Sequence, residues 1–146
     1  MRSIAFRVYG LPGPQGSKAF KGMSHAGHAI LLESSKKVKP WRTAVSFAAR
    51  DAIDQREPWA PLDGPLTVTM FFYLPRPKSA PKHVLYPTKY PDLSKLIRST
   101  EDAMTDASVW ADDARVRLYK ETGKLFATEN EPIGAFIYVE EEGSLI

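Results

Sequence analysis

The sequence predicts an α+β domain, a mixed β-sheet with two main helices packed on it. Three observations lead there. Short segments with apolar residues at every second position stand near both ends and in the middle of the chain. Two longer segments repeat apolar residues at helical spacing. The strand-like segments fall partly in hairpin-like pairs and partly apart, with the helices between them, which favours helices on a mixed sheet. At 146 residues the chain suits one domain spanning 1–146, and 43% hydrophobic residues suffice for a core.

The first strand is read from "SIAFRVYGLP". Ile4, Phe6 and Val8 point one way and Ala5, Arg7 and Tyr9 the other, until Gly10 and Pro12 end it. "GPQGSKAF" is a loop whose glycines permit close backbone approach; it lacks the Walker spacing of a phosphate-binding loop. "KAFKG" and "HAILLES" read as two short strands around "MSHAG". A helix is expected from about Pro40 to Gln55, with Trp41, Val45, Ala48, Ala49 and Ile53 on its apolar face. "GPLTVTMFFYLP" is a strand with Leu66, Val68, Met70 and Phe72 on one face.

From Pro75 to Pro91 five prolines and several basic residues interrupt any periodicity, which predicts a long loop of the kind that often serves function. Asp92 then opens a second helix whose buried stripe is Leu93, Leu96, Ile97, Thr100, Ala103 and Met104. "TDASVWADD" ends it. "ARVRLYKETG" and "GAFIYVEE" complete the domain as two strands, expected to be adjacent and antiparallel.

Composition narrows the function classes. The absence of cysteine excludes disulfides, thiolate metal ligands and cysteine nucleophiles, and it fits a cytoplasmic protein. No apolar run reaches the roughly 20 residues a membrane helix needs. The opening residues show no secretory signal pattern. A net charge of +3 permits an anionic partner without demanding one. His25, His28 and His83 complete no zinc set.

The chemistry is expected around the second helix. Asp92 stands at its mouth, and Asp112 and Asp113 follow one helix and one turn later. If the chain turns back beside the helix, Asp113 approaches Asp92. Two carboxylates brought together repel unless a cation lies between them, and oxygen ligands favour Mg²⁺ or Mn²⁺. The structural alternatives are an N-cap for Asp92 and a turn cap for the "ADD" segment. Ser94, Arg98 and Asp102 are spaced by four and share a polar helix face. Arg98 either pairs with Asp102 or faces a scissile phosphate.

At these residues the sequence resembles the RusA-type Holliday junction resolvases, in particular the phage and prophage branch. That family carries D-x-D, a basic residue four positions after the second acid, a turn, and D-D. Here "PDLSKLIRSTEDAM…VWADDARV" matches in order and spacing, and "GLPGPQGSKAF" and "ESSKKVKPWR" resemble the N-terminal segments. The likeness runs from about Tyr9 to Val116. It implies a homodimer that cuts four-way DNA junctions with Mg²⁺ by paired nicks, acting in the bacterial host's cytoplasm. It implies metal and catalytic roles for Asp92 and Asp113, with Asp112 beside them. Arg98 stands where the family usually has a catalytic lysine. Ser94 stands where the family has its second acid, so one carboxylate is missing; Asp112 or Asp102 could compensate, or the chain could bind junctions and cut poorly.

A branched DNA partner gives the basic residues a purpose. Lys36, Lys37, Lys39, Arg42, Lys78, Lys82 and Lys89 are candidate phosphate contacts, with Lys18 near the glycine loop as a further one. Phe20 and Trp41 could stack on an opened base, although core packing is the commoner use of both; Trp110 is expected to pack beneath the acids and fix the turn. A protein-interaction domain without nucleic-acid role is the reading from a different class, and it predicts no junction binding even at low salt.

Overall fold

The structure is a computed structural model that describes residues 2–16, 18–23, 29–33 and 36–143, with the side chains of 18–23 and 29–33 outside that description. Its elements in order are β1 (Ser3–Tyr9), β2 (Lys18–Met23), β3 (Ala29–Glu33), α1 (Val38–Asp54), β4 (Leu66–Leu74), α2 (Leu93–Asp106), a 3-10 turn (Asp113–Arg115), β5 (Val116–Phe126) and β6 (Gly134–Glu141). The four-stranded sheet has the order β1-β6-β4-β5, and β2 and β3 form a separate antiparallel pair. The fold is α+β, with a mixed sheet and two helices, as the periodicity predicts.

One strand pairing departs from expectation. β5 and β6 both form, but β4 stands between them, antiparallel to β6 and parallel to β5. The reason lies in their faces. β4 buries Leu66, Thr67, Val68, Met70, Phe72, Tyr73 and Leu74, so it needs a neighbour on each side. β5 buries no residue fully and carries Arg117, Lys120, Glu121 and Lys124, a composition suited to a sheet edge.

The core lies between the sheet and the two helices. Ile4, Phe6 and Val8 of β1 and Ala135, Ile137 and Val139 of β6 face α1 and α2, which contribute Trp41, Val45, Ala49, Leu96, Ala103 and Met104. Trp41 is therefore a core residue; its indole N–H donates to Thr100 Oγ1 at 3.0 Å, so no polar atom of the pair is stranded. Ser99, outside the expected stripe, is buried because its hydroxyl donates to the Gly13 carbonyl at 2.6 Å. The polar tie lets the N-terminal loop lie against α2. At Gly134 φ is +149° and a Cβ would collide with the Val8 carbonyl, so only glycine lets β6 start this close to the end of β1.

The segment 75–91 forms neither helix nor strand. Arg76 holds it, donating to the carbonyls of Val84 at 2.8 Å and Pro81 at 2.7 Å while stacking 4.9 Å above the Phe126 ring. Lys124 Nζ donates to the Lys89 and Pro91 carbonyls at 2.9 and 3.0 Å, fixing the loop's exit into α2. A cavity of about 370 Å³ lies under this loop, walled by prolines and by Tyr86, Tyr90 and Phe126. No helix among the described residues is long and apolar enough to cross a membrane.

Candidate active site

α2 and the turn after it build the acidic edge. Asp92 is the helix N-cap residue, but its side chain makes no capping hydrogen bond; its carboxylate lies 4.0 Å from Lys95 Nζ. Ser94 is exposed in the first turn and Arg98 is exposed one turn on. Beyond them come Glu101 and Asp102. After Asp106 the chain turns through Ser108, whose φ of +66° lies in the small left-handed region open to a non-glycine residue. Val109 and Trp110 are then driven into the core, paired by backbone bonds to Leu62. Trp110 donates to Thr105 Oγ1 at 2.7 Å, which ties the turn back to the last stretch of α2 and sets where the next residues emerge.

Asp112 and Asp113 emerge there in different settings. Asp112 accepts from the Ala114 N–H at 2.7 Å and caps the 3-10 turn, and this bond leads the causes that hold its carboxyl below the usual range. Asp113 goes the other way. Its carboxyl is pushed up by partial burial, by Asp112 and by Asp102, with Arg98 pulling it back. Asp113 is itself an exposed residue, so the crowding of negative charge counts for more here than burial.

Glu101 completes the group. Burial raises its carboxyl first, Asp113 and Asp102 raise it further, and Tyr119 and Arg98 oppose them. The Tyr119 hydroxyl donates to Glu101 Oε2 at 2.5 Å, joining β5 to α2. Burial and Glu101 together keep the Tyr119 phenol protonated far above neutral pH.

The structure therefore brings Asp112, Asp113 and Arg98 together and adds Glu101, Asp102 and Tyr119. Asp92 is not among the charges that move Asp113. It precedes Asp102 by ten positions, about 15 Å along the helix axis. Ser94 lies between, one turn before Arg98. Sequence reasoning passed over Glu101 because a charged residue beside Asp102 on an exposed helix face is ordinary. It passed over Tyr119 because a tyrosine suits any strand. The available signal was the i, i+3 spacing of Arg98 and Glu101 on one face.

These donors suit a hard divalent cation in a specific way. Among the described residues no group of three or more His, Asp or Glu is close enough to form a complete cage. Mg²⁺ does not need one, because it is usually held by one or two carboxylates together with waters and substrate phosphates. Asp102's charge raises the Asp113 carboxyl, so these two acids are the residues that could offer such a partial set to a cation beside them. His83 is exposed on the 75–91 loop, and His25 and His28 lie outside the described residues.

The basic candidates fall in two places. Lys36, Lys37 and Lys39 are exposed at the start of α1, and Lys78, Lys82 and Lys89 are exposed on the loop; Lys37 and Lys89 both border the proline-walled cavity. Arg42 instead donates to Asp106 at 3.3 Å and ties α1 to the end of α2. The side chains of Lys18 and Phe20 lie outside the described residues.

Comparison with known proteins bears on all of these residues. The family model described as endodeoxyribonuclease RusA matches residues 12–133, a span that includes both helices, the loop and the acidic edge. The chain is also 29% identical over 126 residues to the uncharacterized protein YqaN of Bacillus subtilis (strain 168), covering 80% of this chain and 83% of that protein.

Proposed function

We propose, from the premise that this chain belongs to the RusA endodeoxyribonuclease family, that it is a metal-dependent nuclease resolving four-way DNA junctions by paired nicks. The observation that carries the reading is the environment of Asp113, an acid crowded by Asp112, Asp102 and Glu101 and faced by Arg98. Perturbed acids gathered beside one cation of fixed charge are a pattern of catalytic sites.

The residues divide the work. Asp113 and Asp102 would hold the divalent ion, Mg²⁺ or Mn²⁺, with Asp112 fixing the turn from which Asp113 projects. When bound, that ion lowers the pKa of a water and steadies the leaving oxygen. Arg98, always protonated, would hold the scissile phosphate with its fork of donors. Asp92 would act from the mouth of α2 on the incoming strand or its hydrated ion. Asp102 makes up for the acid that Ser94 lacks. Lys36, Lys37, Lys39, Lys78, Lys82 and Lys89 would bind phosphates of the arms, giving an affinity that falls steeply with salt. A two-fold dimer would present two such sites to opposite strands. The work would be done in the cytoplasm of a bacterial host, on behalf of a phage or prophage.

The test is nicking of a labelled synthetic four-way junction, with a linear duplex of the same sequence as competitor. The expected result is paired nicks in Mg²⁺ or Mn²⁺ and none in chelator. The neutral, exposed Ser94 favours a second reading, a junction-binding protein that cuts weakly. Gel shifts without nicks at any metal concentration would select it. Equal, weak binding of junction and duplex at low salt would remove both readings.

A further inference from the structure

The cavity under the 75–91 loop has a charge and a lining for which the acidic edge gives no reason. Between Pro75 and Pro91 the sequence holds Arg76, Lys78, Lys82 and Lys89 and no acid. Arg76 is engaged within the loop, on the Pro81 and Val84 carbonyls and the Phe126 ring. Lys89 lines the cavity, Lys78 stands between the wall residues Pro77 and Ser79, and Lys82 follows the wall residue Pro81. Among the described residues no acid lines the cavity. Its rim therefore suits an anionic ligand.

The wall suits a flat ring. Tyr86 and Tyr90 both line the cavity, yet they are 60% and 65% exposed, so each keeps aromatic surface that the fold leaves uncovered. Ser79 and Thr88 add hydroxyls, which both donate and accept. A volume of about 370 Å³ falls in the usual range of small-molecule sites, roughly 300–1,000 Å³. Seven wall residues are prolines, which lack the N–H that a bound peptide backbone would pair with. A nucleobase needs no such partner. It binds by stacking on aromatic rings, with cations for the phosphates on either side.

The cavity is also fastened to the helix that carries the acids. The Gln15 N–H donates to the Lys95 carbonyl at 2.9 Å, and the Gly13 carbonyl accepts from Ser99 at 2.6 Å. These bonds hold the wall residues Pro12 and Pro14 against α2. Lys124 holds the opposite wall through the Lys89 and Pro91 carbonyls. Pro91 directly precedes Asp92, and Asp102 follows about 15 Å along the helix axis. That length spans about four stacked nucleotides at ~3.4 Å each.

We infer that this cavity takes one unstacked base of a DNA strand, held between Tyr86 and Tyr90, about four nucleotides from the phosphate to be cut. A branch interrupts the stack, so a base beside it costs less to extrude than one inside a duplex. Lys78, Lys82 and Lys89 bind the phosphates next to that base. The spacing from the cut rests on the nuclease reading; the base site itself does not.

Fluorescence anisotropy of labelled single strands, with the full chain in chelator, tests the site apart from cutting. One probe is an oligothymidine of about eight nucleotides, within the length that single-strand grooves cover. The other is an abasic strand of equal length, with the same phosphates and no bases. The oligothymidine should bind more tightly. Tyr86→Ala and Tyr90→Ala should each weaken it about five- to a hundredfold and leave the abasic strand unchanged, which also shows that the variants stay folded. Tyr86→Phe should keep full binding, and Lys89→Gln should weaken both strands alike. Equal binding of the two strands, no binding of either at low salt, or tyrosine variants that change neither or both would overturn the inference. So would thymidine monophosphate that competes as well as the strand does, since the cavity would then hold a free nucleotide. Nicking assays keep the two readings separate. Normal cutting by a protein indifferent to bases removes this inference alone, and base-dependent binding without nicks at any metal concentration removes the nuclease reading alone.

Discussion

Glu141 and Glu101 are the same side chain put to opposite uses. Glu141, the last residue of β6, accepts from the Asp63 and Gly64 N–H groups at 3.1 and 3.0 Å and lies 3.6 Å from Arg2. The Gly64 N–H leads the causes that hold its carboxyl below the usual range. Glu101 on α2 is half-buried near Asp113 and Asp102, and its carboxyl is driven up. Donors dominate around the first, whereas at the second burial and two acids outweigh the Tyr119 donor and Arg98. The first arrangement stabilises the negative charge by itself and fastens the β6 end to the loop before β4. The second leaves negative charge in want of a cation, which is what a metal-assisted site requires and what folding alone would select against.

The contrast breaks most sharply at Asp113. Asp113→Asn should reduce junction nicking about a hundredfold or more, since even a supporting partner of a metal ligand costs up to that much. It should leave stability unchanged or raise it, because the acid it removes is one that Asp112, Asp102 and Glu101 repel. Nicking rates and urea unfolding on the same preparation check both halves. A variant that cuts normally, or that unfolds more easily, would place Asp113 with Glu141 among the structural acids.

The opposite change is Glu141→Ala. It strands the Asp63 and Gly64 N–H groups, and partial access of water keeps the cost near about 1 kcal/mol, the low end for unpaired donors. Junction cutting should be unaffected. Acidification then separates the two carboxylates by sign. Glu141 has a lowered folded pKa, so its stabilisation is present above the unfolded carboxyl value of about 4.3 and is lost as pH falls through the folded one. Glu101 has a raised folded pKa, so between about 4.3 and that higher value the folded state binds more protons and stability falls as pH rises. In metal-free protein, Glu141→Gln should therefore lessen the loss of stability in acid, and Glu101→Gln should raise stability toward neutral pH. Urea unfolding across pH 3 to 7 (an arbitrary but sufficient window around the ~4.3 reference) reads both slopes.

What the sequence could reveal follows the same division. Helical spacing and alternation disclose α1, α2 and β1, which each bury one repeating face, and β4, whose Leu66, Val68, Met70 and Phe72 recur at every second position. The order of strands is not legible in this way: that β4 separates β5 from β6 depends on which strand is apolar on both faces, and "LTVTMFFYL" shows this only once its odd and even positions are both weighed. Asp112 and Asp113 stand out as a motif, yet only Asp112 accepts from the Ala114 N–H, a difference that no spacing records. Glu101 and Tyr119 meet across α2 and β5 from 18 positions apart, and neither is unusual in its own segment. Local pattern exposes faces; it does not expose which faces turn toward each other.

Ser94→Asp sharpens the comparison from the side of the missing acid and carries the smallest stability effect. The residue is exposed in the first turn of α2, where no acid is present. A carboxylate there meets the positive end of the helix and should stabilise by about 0.3–1 kcal/mol. On that score it resembles Glu141, an acid welcomed by backbone donors. It would also stand one turn from Arg98 and add an oxygen donor toward the edge that Asp113 and Asp102 occupy. The Mg²⁺ concentration for half-maximal nicking should then fall while the Asp113→Asn variant stays inert with or without the new acid. If Ser94→Asp gains stability but leaves the Mg²⁺ requirement where it was, position 94 belongs to the helix end alone, and Asp102 with Asp113 is the whole of the protein's share in holding the ion.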